Sequence, residues 1–365
     1  MRIRPFELER WQSVWEHHVD LNISESGVLP MAAATLADSP SELDRILAQP
    51  LGYPQTNGSV ELRDKVAATY SGATAANVLV TCGGAEANFL CVWSRIEPGD
   101  EVVVMEPNYG QVAGLAESFG ATVKPWRLRE ELRWQGDPAE LAELVTAKTT
   151  MIAVCNPNNP TGAVMSREAM DAVVAHASRV GAWILADEIY MGAERDGELT
   201  PSFWGRYDRV LCTNSLSKAY GLPGLRTGWV VAPEKIAEEL WGYHDYTTIG
   251  PSVINERLAS LAMAAEKRTE ILERTRRIVR GNYQPVAEWI RRHNFRHIPP
   301  AAGAIAWFAV PESDALARRA REEKSVLLCP GEQFGMPGYL RLGFGGHTGE
   351  LLQALSRVEE ILSEE

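Results

Sequence analysis

Several apolar runs in this chain end on polar residues of the kinds that do chemistry. The run Trp183–Ala186 closes on Asp187-Glu188-Ile189-Tyr190. A carboxylate at the end of an apolar strand is costly unless it meets a partner, so Asp187 either caps the following turn or salt-bridges a buried cation. A later run leads into Ser215-Leu216-Ser217-Lys218, with Arg226 eight residues on in Gly-Leu-Pro-Gly-Leu-Arg. A lysine flanked by hydroxyls and followed by an arginine suits a Schiff-base amine beside an anion; the plainer reading is a solvated surface lysine. After Val78–Thr81 comes Cys82-Gly83-Gly84-Ala85-Glu86-Ala87-Asn88, a glycine pair opening a helix. Backbone N–H groups at such a helix start can approach an anion, although a glycine turn is commonly only a turn. Asn159, within Asn156-Pro157-Asn158-Asn159-Pro160-Thr161-Gly162, and Tyr109, within Pro107-Asn108-Tyr109, also follow strands. Arg341 interrupts the apolar pattern Tyr339-Leu340-Arg341-Leu342. It wants a carboxylate, since arginine reads that group in bidentate fashion.

The elements that must position these residues alternate. A helix over Ser59–Tyr70 leads to a strand at Asn77–Thr81, a helix at Ala85–Arg95 to a strand at Glu101–Met105, and a helix at Tyr109–Phe119 to a strand at Thr122–Pro125. Further short strands are expected at Met151–Cys155, Trp183–Ala186, Arg209–Thr213 and Gly228–Val231. This rhythm predicts an α/β fold with a largely parallel sheet, whose ligands bind beyond the carboxyl ends of the strands. A long helical region from about 252 to 293 changes it, followed by strands at Ala304–Val310 and Tyr339–Phe344 and a helix to about 363. The division expected is a large domain over 41–252 and a smaller α+β domain built from 1–40 plus 253–365.

Composition narrows the classes. The chain has 365 residues, 45% apolar and 23% charged. Those are the proportions of ordinary globular proteins, and no internal repeat or low-complexity segment is visible. A net charge of −12 disfavours adhesion to nucleic acid or an anionic membrane. The five cysteines (Cys82, Cys91, Cys155, Cys212, Cys329) have no Cys-x-x-Cys spacing. Neither a disulfide framework nor a metal site is therefore expected. The start Met-Arg-Ile-Arg-Pro-Phe-Glu has no apolar signal region. No apolar run reaches the length of a membrane span, roughly 18 residues. A cytoplasmic protein is expected.

Taken in order, Tyr53…Gly58, Gly-Gly-Ala-Glu-Ala, Pro-Asn-Tyr, Asn-Pro-Asn-Asn-Pro-Thr-Gly, Asp-Glu-Ile-Tyr, Ser-Leu-Ser-Lys…Arg and Tyr-Leu-Arg-Leu-Gly-Phe resemble the fold-type I, pyridoxal 5'-phosphate (PLP) dependent class I/II aminotransferases, from about Leu21 to about Glu360. The resemblance implies roles. Lys218 would be the Schiff-base lysine and move the proton at the substrate Cα. Asp187 would pair with the ring nitrogen of PLP and keep it protonated against the cost of burial. Asn159 and Tyr190 would hydrogen-bond the ring's phenolic oxygen, Tyr190 counting with Lys218 and Asp187 as catalytic and Asn159 also touching the substrate, and Tyr109 would stack on the ring. Gly84, Ala85, Ser215 and Arg226 would hold the phosphate, with Tyr53 reaching the phosphate of a neighbouring subunit in a homodimer with shared sites. Arg341 would grip the substrate carboxylate. The partners implied are an L-amino acid and a 2-oxo acid.

Two stretches depart from the family. Members commonly read Leu-x-x-Gly-Glu-Pro where this chain has Leu21-Asn22-Ile23-Ser24-Glu25-Ser26-Gly27, and Ser24 and Glu25 become candidate substrate contacts, Glu25 for a cationic side chain. The stretch Asp245–Ser252 falls where a neighbour's substrate loop is expected and lacks an arginine for a dicarboxylate, which disfavours aspartate. These features, with Ser-Leu-Ser-Lys-Ala-Tyr-Gly-Leu-Pro-Gly-Leu-Arg, resemble capreomycidine synthase and related enzymes acting on arginine derivatives; Glu7 and Glu9 could then serve a guanidinium, or simply be exposed helix carboxylates. Transamination, and elimination with cyclisation or oxidation of an arginine-like substrate, share one quinonoid intermediate, so the cofactor residues cannot separate them. A non-catalytic ligand-sensing module is the third reading, disfavoured by the intact Lys218, Asp187 and Arg341.

Overall fold

The structure, a computed structural model, describes residues 2–364. After a first helix (Glu7–Trp15) and a short strand β1 (Leu21–Asn22), the chain builds one large sheet from β2 (Val78–Thr81), β3 (Glu101–Glu106), β4 (Thr122–Arg129), β5 (Gln135–Gly136), β6 (Thr149–Cys155), β7 (Trp183–Asp187), β8 (Val210–Ser215) and β9 (Gly228–Val231). Their order across the sheet is β2-β9-β8-β7-β6-β3-β4-β5. The neighbours β8-β7-β6-β3-β4 are parallel, while β9 runs antiparallel to both β2 and β8, and β5 antiparallel to β4. The parallel strands therefore end on the same side, and Cys155, Asp187 and Ser215 are the last residues of β6, β7 and β8.

Local chemistry sets the helix ends. The helix expected from Ser59 begins at Val60, because the Ser59 side chain accepts from Leu62 N as its N-cap. Ser166 caps the helix Arg167–Val180 in the same way, and Gly181, in the left-handed region, closes it. The strand expected to stop at Pro125 runs on to Arg129, with Trp126 and Leu128 buried. Proline is tolerated there because β5 pairs only with Leu128 and Arg129, so the edge beside Pro125 asks for no ladder hydrogen bond. The helical region after 252 is two helices, Val253–Ala262 and Ala265–Arg292.

A second layer follows. Strands β10 (Ile305–Ala309), β12 (Cys329–Pro330) and β13 (Tyr339–Gly343) form an antiparallel sheet in the order β10-β13-β12, while β1 pairs in parallel with β11 (Val326–Leu327). The N-terminal segment is thus stitched to the C-terminal layer, and Gly343 N donates to Ile23 O at 2.7 Å. A Cβ at Gly343 would collide with the Glu25 carbonyl, so this close approach needs glycine. Apolar side chains gather in one cluster on each face of the large sheet and a third in the second layer, the last containing Trp11, Leu21, Ile23 and Val28 beside Leu340, Leu342 and Ala354. Leu36 and the helix Val253–Ala262, expected in the smaller domain, pack against the large sheet instead. No described helix is long and apolar enough to cross a membrane.

Candidate active site

Beyond the carboxyl ends of β6, β7 and β8 lies a cavity of about 820 Å³, closed by the first helix, the 21–30 segment and the turn after β13. Lys218 is the one lysine in its wall among the described residues. Its Nζ stands 3.3 Å from Glu25 Oε2. Burial pushes the Lys218 amine down, but the Glu25 carboxylate and the Tyr190 phenol outweigh it and hold the amine above its ordinary value. The same contact, with Arg341 nearby, holds the Glu25 carboxyl below the usual range. The Tyr190 hydroxyl donates to Ser26 Oγ at 2.8 Å, and burial raises its pKa.

Asp187 has no ion-pair partner among the described residues. Asn88 Nδ2 donates to its Oδ2 at 3.0 Å and Ile189 N to its Oδ1 at 3.1 Å, while Thr213 Oγ1 donates to Asn88 Oδ1 at 2.7 Å. Burial pushes the Asp187 carboxyl up. A carboxylate so placed and so oriented wants a cation or an N–H from the cavity. Asn88 carries no role in the sequence reading. Its position one helical turn after Gly84, on the same face, is the signal available for it.

The glycine turn opens a real cradle. Gly83 (φ +82°) is the N-cap of the helix Gly84–Arg95 and has no side chain to cap it. The N–H groups of Gly84 and Ala85, both in the cavity wall, make no hydrogen bond among the described residues. That marks an anion site at a positive helix end. Arg226 closes the cradle from a left-handed backbone (φ +45°), with Nη1 donating to Pro223 O at 3.1 Å and lying 3.5 Å from Ser217 Oγ. A Cβ at Gly83 would stand 2.5 Å from Arg226 Nη2. Gly83→Ala should therefore displace the guanidinium and weaken PLP binding at least tenfold, read as the dissociation constant of the apoprotein; an unchanged constant would contradict the cradle. Ser215, expected to hold the phosphate, is fully buried against Gly84, its Oγ accepting from Ser217 N at 3.1 Å, and Ser217 lines the wall beside it.

Arg341 is 1% exposed and has no carboxylate within ion-pair distance among the described residues. Nη1 donates to Asn159 Oδ1 at 2.8 Å and Nη2 to the Ser24 carbonyl at 2.6 Å, while Nε has no partner. Its guanidinium carbon lies 5.1 Å from the centre of the Phe334 ring. A buried arginine gripped by neutral acceptors and facing a cavity is set for an incoming carboxylate. Ser24 is a candidate substrate contact by its place in the sequence. The structure buries its side chain under Gln12 and Asn22 and uses the carbonyl to aim Arg341. Tyr109 lines the cavity with its hydroxyl donating to Glu9 Oε1 at 2.6 Å and its ring against Phe6, so Glu9 is engaged while Glu7 is exposed. Tyr53 is 86% exposed and outside the cavity.

Comparison with known proteins then decides the family. The family model for aminotransferase class I and II matches residues 24–358. The chain belongs to the aminotransferase class I and II family. Capreomycidine synthase of Streptomyces vinaceus is 32% identical over 310 residues, 84% of this chain and 79% of that protein. A PLP-dependent aminotransferase from Streptococcus suis shares the fold at a TM-score of 0.94 and 34% identity, over 100% of this chain and 99% of that one. The PLP-dependent cyclase OrfR does so at 0.90 and 29%, over 100% and 98%. The aminotransferase is therefore a fold-type I enzyme and its cofactor is PLP. Its residues fit that group: unpaired N–H groups beside Arg226 for a phosphate, a half-buried carboxylate without an ion-pair partner among the described residues for the ring nitrogen, and a lysine in the same wall as Arg341.

Proposed function

We propose that this aminotransferase moves the amino group of an L-amino acid to a 2-oxo acid, with the cavity as its active site. The observation that carries the reading is Arg341, a buried guanidinium without a carboxylate partner among the described residues, in one cavity with Lys218, Asp187 and the unfilled N–H groups of Gly84 and Ala85. Bound PLP supplies an electron sink for the pair left at Cα when its proton departs. Gly84, Ala85, Ser217 and Arg226 hold its phosphate, with Ser215 behind them. Asp187, oriented by Asn88, keeps the ring nitrogen protonated, and Tyr190 and Asn159 hydrogen-bond the phenolic oxygen. Arg341 fixes the substrate carboxylate and so presents the Cα–H to Lys218, whose freed amine takes the proton and returns it.

The division is a large domain over 41–252 and a smaller one from 1–40 plus 253–365, except that Leu36 and the helix Val253–Ala262 join the large one, and the cavity lies at their junction. Exposed Leu51, Tyr53 and Tyr246 support a homodimer in which Tyr53 reaches the partner's phosphate.

The acids of the cavity wall favour a second reading. Glu9, Glu16, Glu25 and Glu350 line it, and beyond Lys218, Arg226 and Arg341 its only basic side chains among the described residues are His17 and His347. Such a wall suits a cationic side chain. The likeness to capreomycidine synthase supports an arginine derivative, processed by elimination and cyclisation or by oxidation. Glu25→Gln is then expected to raise KM for arginine at least tenfold while leaving alanine within twofold; equal effects on both would remove this reading. The chemistry is tested by incubating the holoenzyme with single L-amino acids, arginine and hydroxyarginine included, and no acceptor. Stoichiometric conversion of PLP to pyridoxamine phosphate with release of the 2-oxo acid establishes transamination. Catalytic turnover with PLP retained refutes it in favour of the second reading.

A further inference from the structure

Glu86 is a buried carboxylate in the first turn of the helix whose N-terminus forms the phosphate cradle, and the roles proposed above leave it unused. Its Oε2 accepts from Cys82 N at 2.5 Å and lies 3.2 Å from His244 Nε2. Its Oε1 accepts from Thr247 Oγ1 at 2.5 Å, Thr248 Oγ1 at 2.9 Å and Thr248 N at 3.3 Å. Counted from the N-cap Gly83, Glu86 is the third helical residue, the position from which a glutamate folds back on a helix start in a capping box. Here Gly83 N is already engaged by Thr81 O at 2.9 Å, so the carboxylate reaches one residue further back, to Cys82.

The arrangement solves a conflict. Gly83 must be glycine, to take φ +82° with Arg226 packed on it, so no N-cap side chain can stiffen the turn. A carboxylate in the first turn stiffens it from inside but would compete with a phosphate for the free N–H groups. Glu86 avoids that because both oxygens are taken up by Cys82 N and by the corner at residues 244–248. Burial alone would push the Glu86 carboxyl up; hydrogen bonds from His244, Thr247 and Cys82 N outweigh it and hold it down at about 2. The corner is itself braced against the 53–58 segment. Trp241 Nε1 donates to Thr56 Oγ1 at 2.8 Å, and Ile249 is held at φ +70°. A β-branched residue enters that left-handed region only where its surroundings impose it.

We propose that Glu86 is a positioning residue for the cofactor phosphate: it holds the Cys82–Gly84 turn and anchors it to the 244–248 corner, leaving the N–H groups of Gly84 and Ala85 free for the phosphate. This rests on the reading of the cradle as the phosphate site. The test is to titrate the full-length apoprotein with PLP and with pyridoxal, which lacks only the phosphate. Glu86→Gln sets an amide N–H₂ against a ring of donors, and losing one charge-assisted bond of this kind is worth about tenfold in affinity or more. The expected result is a PLP dissociation constant at least tenfold higher in Glu86→Gln, with pyridoxal within twofold of wild type. Thr248→Val, which removes one donor to the same carboxylate, lowers the preference for PLP over pyridoxal in the same direction and serves if Glu86→Gln does not fold. Equal weakening of both ligands, or of neither, overturns the proposal. A wild-type protein that binds PLP and pyridoxal equally overturns it by a separate route, because the cradle then holds no phosphate at all.

Discussion

Lys218→Ala is expected to lower turnover by at least ~10⁴-fold, the upper range for removing a positioned proton-transfer group, and by more because the same residue anchors the cofactor. Borohydride should fix PLP to the wild-type protein through this lysine and leave no covalent adduct in the variant, as intact-protein mass spectrometry would show. PLP should still bind, held by the Gly84 and Ala85 N–H groups, Ser217, Arg226 and Asp187. A second consequence is electrostatic. Lys218 is the largest influence lowering the Glu25 carboxyl, so in the apoprotein of the variant Glu25 should titrate at a higher pH. Steady-state turnover retained in Lys218→Ala would refute the assignment of the proton-transfer role.

Arg341→Leu is expected to separate function from stability. Truncating a buried charge that grips a charged ligand costs about 3 kcal/mol or more, so kcat/KM for an L-amino acid should fall about 10²- to 10³-fold. Most of that loss should appear in KM, because the carboxylate is held alike before and during the reaction. The melting temperature of the apoprotein should stay level or rise. Without substrate the guanidinium is 1% exposed, lacks a carboxylate partner among the described residues and leaves Nε unsatisfied. Its removal ends that unfavourable burial, which offsets the loss of its hydrogen bonds to Asn159 Oδ1 and the Ser24 carbonyl. A sharply lower melting temperature, or a kcat/KM within threefold of wild type, would contradict the assignment of Arg341 to the substrate carboxylate.

Much of this was legible in the sequence because reactive side chains in an α/β sheet sit at strand ends, and strand ends can be read from short-range patterns. Asp187, Tyr190, Asn159 and Tyr109 each follow an apolar run, and each lines the cavity. Lys218 and Arg226 are eight residues apart in sequence, and the three-residue helical turn between them bends both into one wall. What could not be read is what depends on contacts far apart in the chain. Asn88 meets Asp187 across 99 residues and Thr213 across 125. Glu86 meets His244 across 158, and no local spacing announces such pairs. Ser24 shows the same limit from the other side. Its place near the substrate is implied by the family's pattern, but which of its atoms faces Arg341 depends on Gln12 and Asn22 enclosing its hydroxyl.

The residue types and their order along the chain determine the cofactor chemistry: an amine, an acid for a ring nitrogen, a glycine-opened helix and an arginine inside a strand. These are chemical identities, and folding does not alter them. Tertiary structure alone decides their mutual geometry. The antiparallel β9 slips between β2 and β8 and brings Gly228 opposite both Thr81 and Ser215, bracing the glycine turn against its neighbour strands. The parallel pairing of β1 with β11 carries Glu25 across the chain to within 3.3 Å of Lys218. Both are long-range strand registers, set by which apolar faces pack together over the whole molecule rather than by any stretch of neighbouring residues.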